Sequence, residues 1–165
     1  MEVMEAIRTR RSIRGYKSDP IPEDSLTAVL EAARVAPSAA NRQEYKFIVV
    51  KDESLRKALV PICHNQAFVG EAPVVIVGCA TNPKRRYSFV DVAIAMDHMT
   101  LAARAHGLGT CWIGAFSEDK VKQLLDIPEH VSVVCLLPVG IPAKEGIMRS
   151  RKAHEELYPE NRWQD

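Results

Sequence analysis

Long apolar runs are missing from this chain. No stretch approaches the roughly 18 residues of a membrane span. The N-terminus carries Glu2 and Glu5 where a signal peptide would have its apolar segment. A dominant charge sign is also missing: 22 Lys and Arg face 21 Asp and Glu, a formal net charge of +1. That argues against generic nucleic-acid binding, which needs a concentrated basic surface. No CxxC pair occurs, and Cys63, Cys79, Cys111 and Cys135 have no metal-ligand spacing. Each lies in or beside an apolar stretch, as a small hydrophobe does in a reducing compartment, so a cytoplasmic location is predicted. The GxSxG elbow, the HExxH pair and the P-loop are absent. Gly107 and Gly109 begin a GxG, but the third glycine of a dinucleotide fingerprint does not follow, and the pair precedes a strand where the fingerprint joins strand to helix. The histidines are scattered, Cys63–His64 has no further ligands, and no metal site is predicted.

What remains is a chain of 165 residues, long enough for one domain, with the 47% hydrophobic and 26% charged content of an ordinary globular protein. A short helix is expected over Val3–Thr9, with Val3, Met4 and Ile7 on one side. Leu26, Val29, Leu30 and Ala33 keep helical spacing after Pro20 and Pro22, and Pro37 stops that helix. Tyr45–Val50 reads as a strand, and Asp52 as the cap of a helix carrying Leu55, Ala58, Leu59 and Ile62. Val74–Cys79 reads as a strand covered on both faces. Phe89–His106 is the longest helical segment, apolar nearly all round and stopped by Gly107, so it belongs in a core or an interface. Cys111–Ala115 reads as a short strand, Ser117 as the cap of a helix through Leu125, and Val131–Val139 as the last long strand. From Ile141 the chain is polar, without a core stripe, and must lie on a surface or embrace a partner. The sum is an α+β fold, helices against a mixed sheet, in one domain over 1–165 with 141–165 as a C-terminal arm.

Three polar groups stand out. Arg8, Arg10, Arg11, Ser12 and Arg14 fall in one short segment. Pro37, Ser38, Ala39, Ala40, Asn41, Arg42 and Gln43 form a loop, and Arg149, Arg151 and Lys152 lie in the tail. Guanidinium groups suit bidentate phosphate recognition, and a serine hydroxyl adds a donor. The two basic groups could meet on one phosphate. Composition alone favours a solvated basic patch.

Order along the chain favours the first reading. Ala6-Ile7-Arg8-Thr9-Arg10-Arg11-Ser12-Ile13-Arg14 resembles the N-terminal signature of the nitroreductase family. Ala36 to Gln43 resembles its second signature, and Asn65-Gln66 with Ala72-Pro73 its third. Ala103 to Gly114 resembles the fourth, and Arg149-Ser150-Arg151-Lys152 the closing basic element.

That resemblance implies an intertwined α+β homodimer with FMN at the subunit interface and the C-terminal arm around the partner. It gives Arg10, Arg11 and Ser12 the FMN phosphate, aided by Arg149 and Arg151, and puts Arg14 near flavin N1 and the C2 carbonyl. Pro37, Ser38 and Ala39 would line the ring from the other subunit, with Asn41 orienting the pocket and Gln43 offering a carboxamide. Asn65 would bond the pyrimidine edge, and the backbone of Ile113, Gly114 and Ala115 would approach N5 and O4. Bland roles compete: Ser12 and Gly114 as turn residues, Asn65 as a helix cap, Pro37 as a helix stop.

Two departures stand out. The family often has proline and an aromatic residue after the glutamine, where this chain has Glu44 and Tyr45, and the segment between Cys79 and the long helix is too short for the lid helices of larger relatives. The implied activity is ping-pong hydride transfer from NADH or NADPH through FMN to a nitroaromatic, quinone or flavin, with no catalytic side chain nominated. Two alternatives stay open: a specialised flavin enzyme, such as a dehalogenase or desaturase, and a flavin-binding redox protein without efficient turnover.

Overall fold

The computed structural model describes residues 1–163, so the last two residues of the expected arm, Gln164 and Asp165, lie outside the described residues. Helix α1 spans Val3–Thr9 and α2 Glu23–Arg34, the latter ending two residues before the Ala36-Pro37 step. A 3-10 turn at Ala39–Asn41 leads into β1, Tyr45–Val50. Helix α3 (Glu53–Ile62) starts at Asp52, whose side chain accepts the Leu55 N–H at 2.9 Å. A short α4, Phe68–Glu71, was not expected; Arg56 holds it to α3 by donating to the carbonyls of Gly70 and Ala72. Then come β2 (Val74–Ala80), α5 (Ser88–Ala105), β3 (Gly109–Thr110), α6 (Glu118–Leu124), β4 (Ser132–Gly140) and α7 (His154–Leu157). No helix among the described residues is long and apolar enough to cross a membrane.

The strands form one sheet in the order β1-β2-β4-β3, and every named pair is antiparallel. Parallel pairing is confined to an isolated bridge between Ser12 and Thr110. Alternation along β2 sends Val75, Val77 and Cys79 to one face, against Leu59, Val69 and Val121 of α3, α4 and α6. Val74, Ile76 and Ala80 point to the other, against Val29 of α2 and Met96 and Met99 of α5. All seven residues of β2 are buried, as its unbroken apolar run predicts. In β4 the pairing steps from Gly78↔Cys135 to Cys79↔Val133, leaving Val134 as a bulge. Beside it the Val133 N–H donates to Glu118 Oε1 at 2.9 Å, which docks α6 on the sheet.

Two local readings need correction. The expected strand Cys111–Ala115 is displaced: β3 is Gly109–Thr110, and only Ile113 of the later segment makes a bridge, to Leu136. An apolar run reports burial but not which backbone groups pair. Ser117 holds the cap position of α6 but makes no side-chain cap bond. Helix α5 is covered by α2 and the sheet along much of its length, and its strongly exposed apolar groups are Phe89 and Val90 at its start.

Gly78 is where β2 lets α5 approach: a Cβ there would lie 2.9 Å from Val92 Cγ1 and 3.4 Å from Met96. Val92 is fully buried and stiff. Gly78→Ala should therefore cost about 1–3 kcal/mol, lowering Tm by about 2–4 °C per kcal/mol; calorimetry checks this. All four cysteines are free and buried, and burial pushes Cys63 and Cys79 up to about 11 and Cys135 to about 12. Native protein at pH 8 should resist iodoacetamide, and unfolded protein should take up label at every thiol; mass spectrometry after short exposure reads both.

Candidate functional site

The segment after α1 is held as an extra edge of the sheet. Ile13 N–H donates to the Thr110 carbonyl at 2.9 Å, extending the sheet beyond β3. Further on, Tyr16 bridges Pro142, Lys17 N–H donates to Ile141 at 2.9 Å, and Ala143 N–H donates to Gly15 at 3.0 Å. The Tyr16 hydroxyl, with one proton, has the Ile13 carbonyl at 3.0 Å and that of Pro138 at 3.2 Å. Burial raises this phenol far above its ordinary range, so it stays a donor. Apolar contacts complete the join: Ile13 and Tyr16 are both buried, and Gly109 and Gly140 allow the close approach, since a Cβ at either would overlap Ile13 or Tyr16.

This clamp fixes where the arginines go. Arg10, Arg11, Ser12 and Arg14 line one side of a cavity of about 620 Å³, and Lys144, Gly146, Arg149 and Arg151 line the other. The two basic groups, far apart in sequence, do converge. Their guanidinium groups are not equivalent. Arg11 Nη1 donates to the carbonyls of Arg8 at 2.6 Å and Arg10 at 2.7 Å, closing the C-terminal end of α1. Arg151 Nη1 donates to the carbonyls of Arg149 and Ser150, each at 3.1 Å. Arg10, Arg14 and Arg149 have neither a carboxylate within salt-bridge distance nor a side-chain hydrogen bond among the described residues. Lys144 also lacks a partner, so four such cations and one carboxylate, Glu145, line the cavity, and the excess positive charge calls for an anion. Behind them lies Cys111. Burial raises its thiol, while Arg14, a hydrogen bond with Ser12 and Arg10 pull it the other way.

The other expected site residues lie elsewhere on the same chain. Pro37, Ser38, Ala39, Asn41, Gln43, Asn65, Ile113, Gly114 and Ala115 are absent from the lining of the arginine cavity. The 37–43 loop is rigidly built: Ser38 Oγ accepts the Gln43 N–H at 3.1 Å, Gln43 Nε2 donates to the Asn41 carbonyl at 3.1 Å, and buried Asp91 accepts the Ala39 N–H at 3.0 Å. Ala40, Asn41 and Gln43 have φ near +54°, and His64 and Asn65 repeat that conformation between α3 and α4. Left-handed non-glycine residues are uncommon and concentrate at functional sites. Five of the seven among the described residues fall in these two loops. Ile113 is buried and bonded to Leu136, whereas the exposed Gly114 and Ala115 N–H groups have no acceptor among the described residues. Sequence reading missed Lys144 and Gly146; the Pro142-Ala143-Lys144-Glu145-Gly146 turn composition was the available signal.

The nitroreductase family pattern matches residues 7–78 and 63–141, so it spans both the arginine segment and the strained loops. A protein of Methanothermobacter thermautotrophicus is 36% identical over 151 residues, covering 87% of this chain and 79% of its own. A Clostridium novyi structure described as a nitroreductase family protein superposes with TM-score 0.82 at 38% identity, covering 86% of each chain. A Bacillus subtilis protein named FMN reductase [NAD(P)H] is 28% identical, covering 95% of this chain and 74% of its own. The fold, with a twin-cored α+β sheet and a cationic cavity at its edge, is of the flavin oxidoreductase class. The chain belongs to the nitroreductase family, whose members are FMN-dependent and include NAD(P)H oxidoreductases.

The unequal arginines give opposite expectations. Arg10→Ala should weaken FMN binding by roughly 10–150-fold, the equivalent of a lost charged hydrogen bond of about 1.5–3 kcal/mol. Arg11→Ala should act chiefly on Tm, through the end of α1. Arg149→Ala, at an exposed position, should lose less than about tenfold, and less still at high salt. Flavin titrations and thermal melts on the three variants decide between these roles.

Proposed function

We propose that the protein is an FMN-dependent oxidoreductase that takes electrons from NADH or NADPH and delivers them to a small organic acceptor: a nitroaromatic, a quinone or a free flavin. It works as a cytoplasmic homodimer by a ping-pong mechanism. The observation that carries this reading is the meeting of Arg10, Arg14 and Arg149 on one cavity. Its volume of about 620 Å³ lies within the roughly 300–1,000 Å³ usual for small-molecule sites. The donor set fits FMN, because four lining cations without partners among the described residues, Arg10, Arg14, Lys144 and Arg149, are available for a phosphate monoester and for the electron-rich edge of a reduced ring.

FMN supplies the two-electron chemistry that no side chain here possesses. Arg10 and Ser12, with Arg149 and Arg151, would hold the phosphate; Arg11 shapes the cavity wall from the end of α1. Arg14 would place a positive charge beside the flavin ring and so favour its reduced form. Pro37, Ser38, Ala39, Asn41 and Gln43 of one subunit would complete the ring site of the other, a reading supported by their absence from the arginine cavity of their own chain. Asn65 bonds the pyrimidine edge. Gly114 and Ala115 offer N–H groups toward N5 and O4, with Ile113 anchoring them on the sheet. Bound FMN would let donor and acceptor use one site in turn, as a ping-pong mechanism requires. No side chain is assigned proton transfer; water supplies the proton.

The dimer rests on exposed apolar surface. Val3, Met4 and Ile7 of α1 are 69%, 53% and 46% exposed, and Ile147 and Met148 of the arm are 76% and 74% exposed. Each Å² left wet costs roughly 25 cal/mol. Burial in an obligate dimer, at about 2,000 Å² or more, removes that cost.

The decisive test is mass analysis of the cofactor released by heating. One FMN per chain is expected; FAD, or no flavin after reconstitution with FMN, would overturn the reading. Arg14→Ala should lower the flavin potential and slow reduction more than it weakens FMN binding, the reverse of Arg10→Ala. Spectroelectrochemistry on both variants reads this, and equal effects at the two positions would reverse the assignment.

A further inference from the structure

The 37–43 loop stands on the surface with little to hold it. Pro37, Ala40, Asn41, Arg42 and Gln43 are exposed, and Ser38 and Ala39 are only half-buried. Ala40, Asn41 and Gln43 have φ of 53°, 55° and 54°, a conformation that non-glycine residues keep only where their surroundings impose it. Most of the loop's hydrogen bonds close within it. Asn41 N–H donates to the Ser38 carbonyl at 2.9 Å and Arg42 N–H to the Ala39 carbonyl at 3.3 Å. Gln43 donates to Ser38 Oγ and to the Asn41 carbonyl, each at 3.1 Å. Among the described residues one bond alone leaves residues 37–43: Ala39 N–H donates to Asp91 Oδ1 at 3.0 Å, 52 positions along the chain.

The acceptor is placed to act as a fixed point. Asp91 is 5% exposed and lies in the first turn of α5, where an acidic side chain is favoured by the helix dipole. Gly78 brings α5 close against β2, so the bond ties the loop to the core. No cation lies within salt-bridge distance of Asp91, and the Ala39 N–H is its side chain's one hydrogen bond among the described residues. A buried carboxylate without a cation is unfavourable. Core packing does not call for one here, since Val92, Ala95, Met96 and Met99 of the same helix fill the core with apolar groups. What the carboxylate adds is a charge-assisted bond, stronger than a neutral one, to a loop with no other hydrogen-bonded tie.

We propose that Asp91 is the positioning residue of the ring-facing loop, setting through the Ala39 N–H how closely Pro37, Ser38 and Ala39 approach the flavin of the partner subunit. The proposal rests on the oxidoreductase reading above, in which this loop of one subunit completes the ring site of the other. Asp91 itself touches neither cofactor nor substrate and moves no proton.

The test compares flavin-loaded wild-type protein with Asp91→Ala, Asp91→Ser and Asp91→Asn. Three signals are read: amide hydrogen exchange of the loop, visible circular dichroism of the bound flavin, and kinetics with 1,4-benzoquinone as acceptor. Asp91→Ala should speed loop exchange at least about tenfold, the equivalent of about 1.4 kcal/mol. It should also change the flavin's circular dichroism and raise the KM for benzoquinone more than it lowers kcat. FMN should stay near one per chain, because the arginine cavity holds the phosphate. Asp91→Ser, also too short to reach Ala39, should give the same result and serves where Asp91→Ala does not fold. Asp91→Asn keeps an acceptor oxygen in place and should recover most of each change. Loop exchange at the wild-type rate in the short variants, or Asp91→Asn as impaired as they are, would overturn the proposal. A lowered Tm with unchanged circular dichroism and KM would overturn it too, leaving Asp91 a purely structural group. Wild-type protein that holds no FMN would instead sink the oxidoreductase assignment, while loop exchange in the same variants still reports the tie to Asp91.

Discussion

Because Val74–Ala80 and Ser132–Gly140 bury side chains on both faces, the sheet must carry a helical layer on each side. Antiparallel sheets usually leave one face to water; here α3, α4 and α6 cover one face and α2 and α5 the other. With both faces filled, polar chemistry is left to the edges of the sheet and the loops at its ends. The arginine segment takes the edge beyond β3, where Ile13 and Tyr16 are pressed into the core and Arg10, Ser12 and Arg14 face the cavity. Buried Ile13 sits between Ser12 and Arg14, both of which line the cavity.

The same constraint accounts for the strained loops. The Ala39–Asn41 turn must pass from α2, packed on α5, to β1 at the opposite sheet edge, and buried Asp91 holds it from α5. Positive φ at Ala40, Asn41 and Gln43 turns the backbone outward over a short distance. At about 1–3 kcal/mol for each sparsely populated conformation, such strain persists only where the surroundings over-determine it. Asp91, Ser38 and Gln43 are the groups that do so.

Most of the fold was legible in the sequence because its signals are strong and local. The 3.6-residue spacing of Leu26, Val29 and Ala33, the cap at Asp52, the stop at Gly107 with φ +75°, and the apolar run of β2 all describe what formed. Position 111–115 misled because Cys111 and Ile113 are buried without a continuous ladder, and burial is all that hydrophobicity encodes. The short α4 and the 3-10 turn left no periodic trace, being under two turns long. The arginine types were legible, but not their inequality. That Arg11 bonds the end of α1 while Arg10 is left without a partner is a matter of the folded path and not of residue type.

The central claim is that the arginine cavity takes the FMN phosphate of a site completed by a second subunit. A crystal structure of the flavin-loaded protein tests it most directly. The account predicts phosphate oxygens within about 2.7–2.9 Å of Arg10 and Arg149, with the flavin ring against the 37–43 loop of the partner chain. A phosphate seated away from Arg10, or a ring contacted only by loops of its own chain, would contradict it.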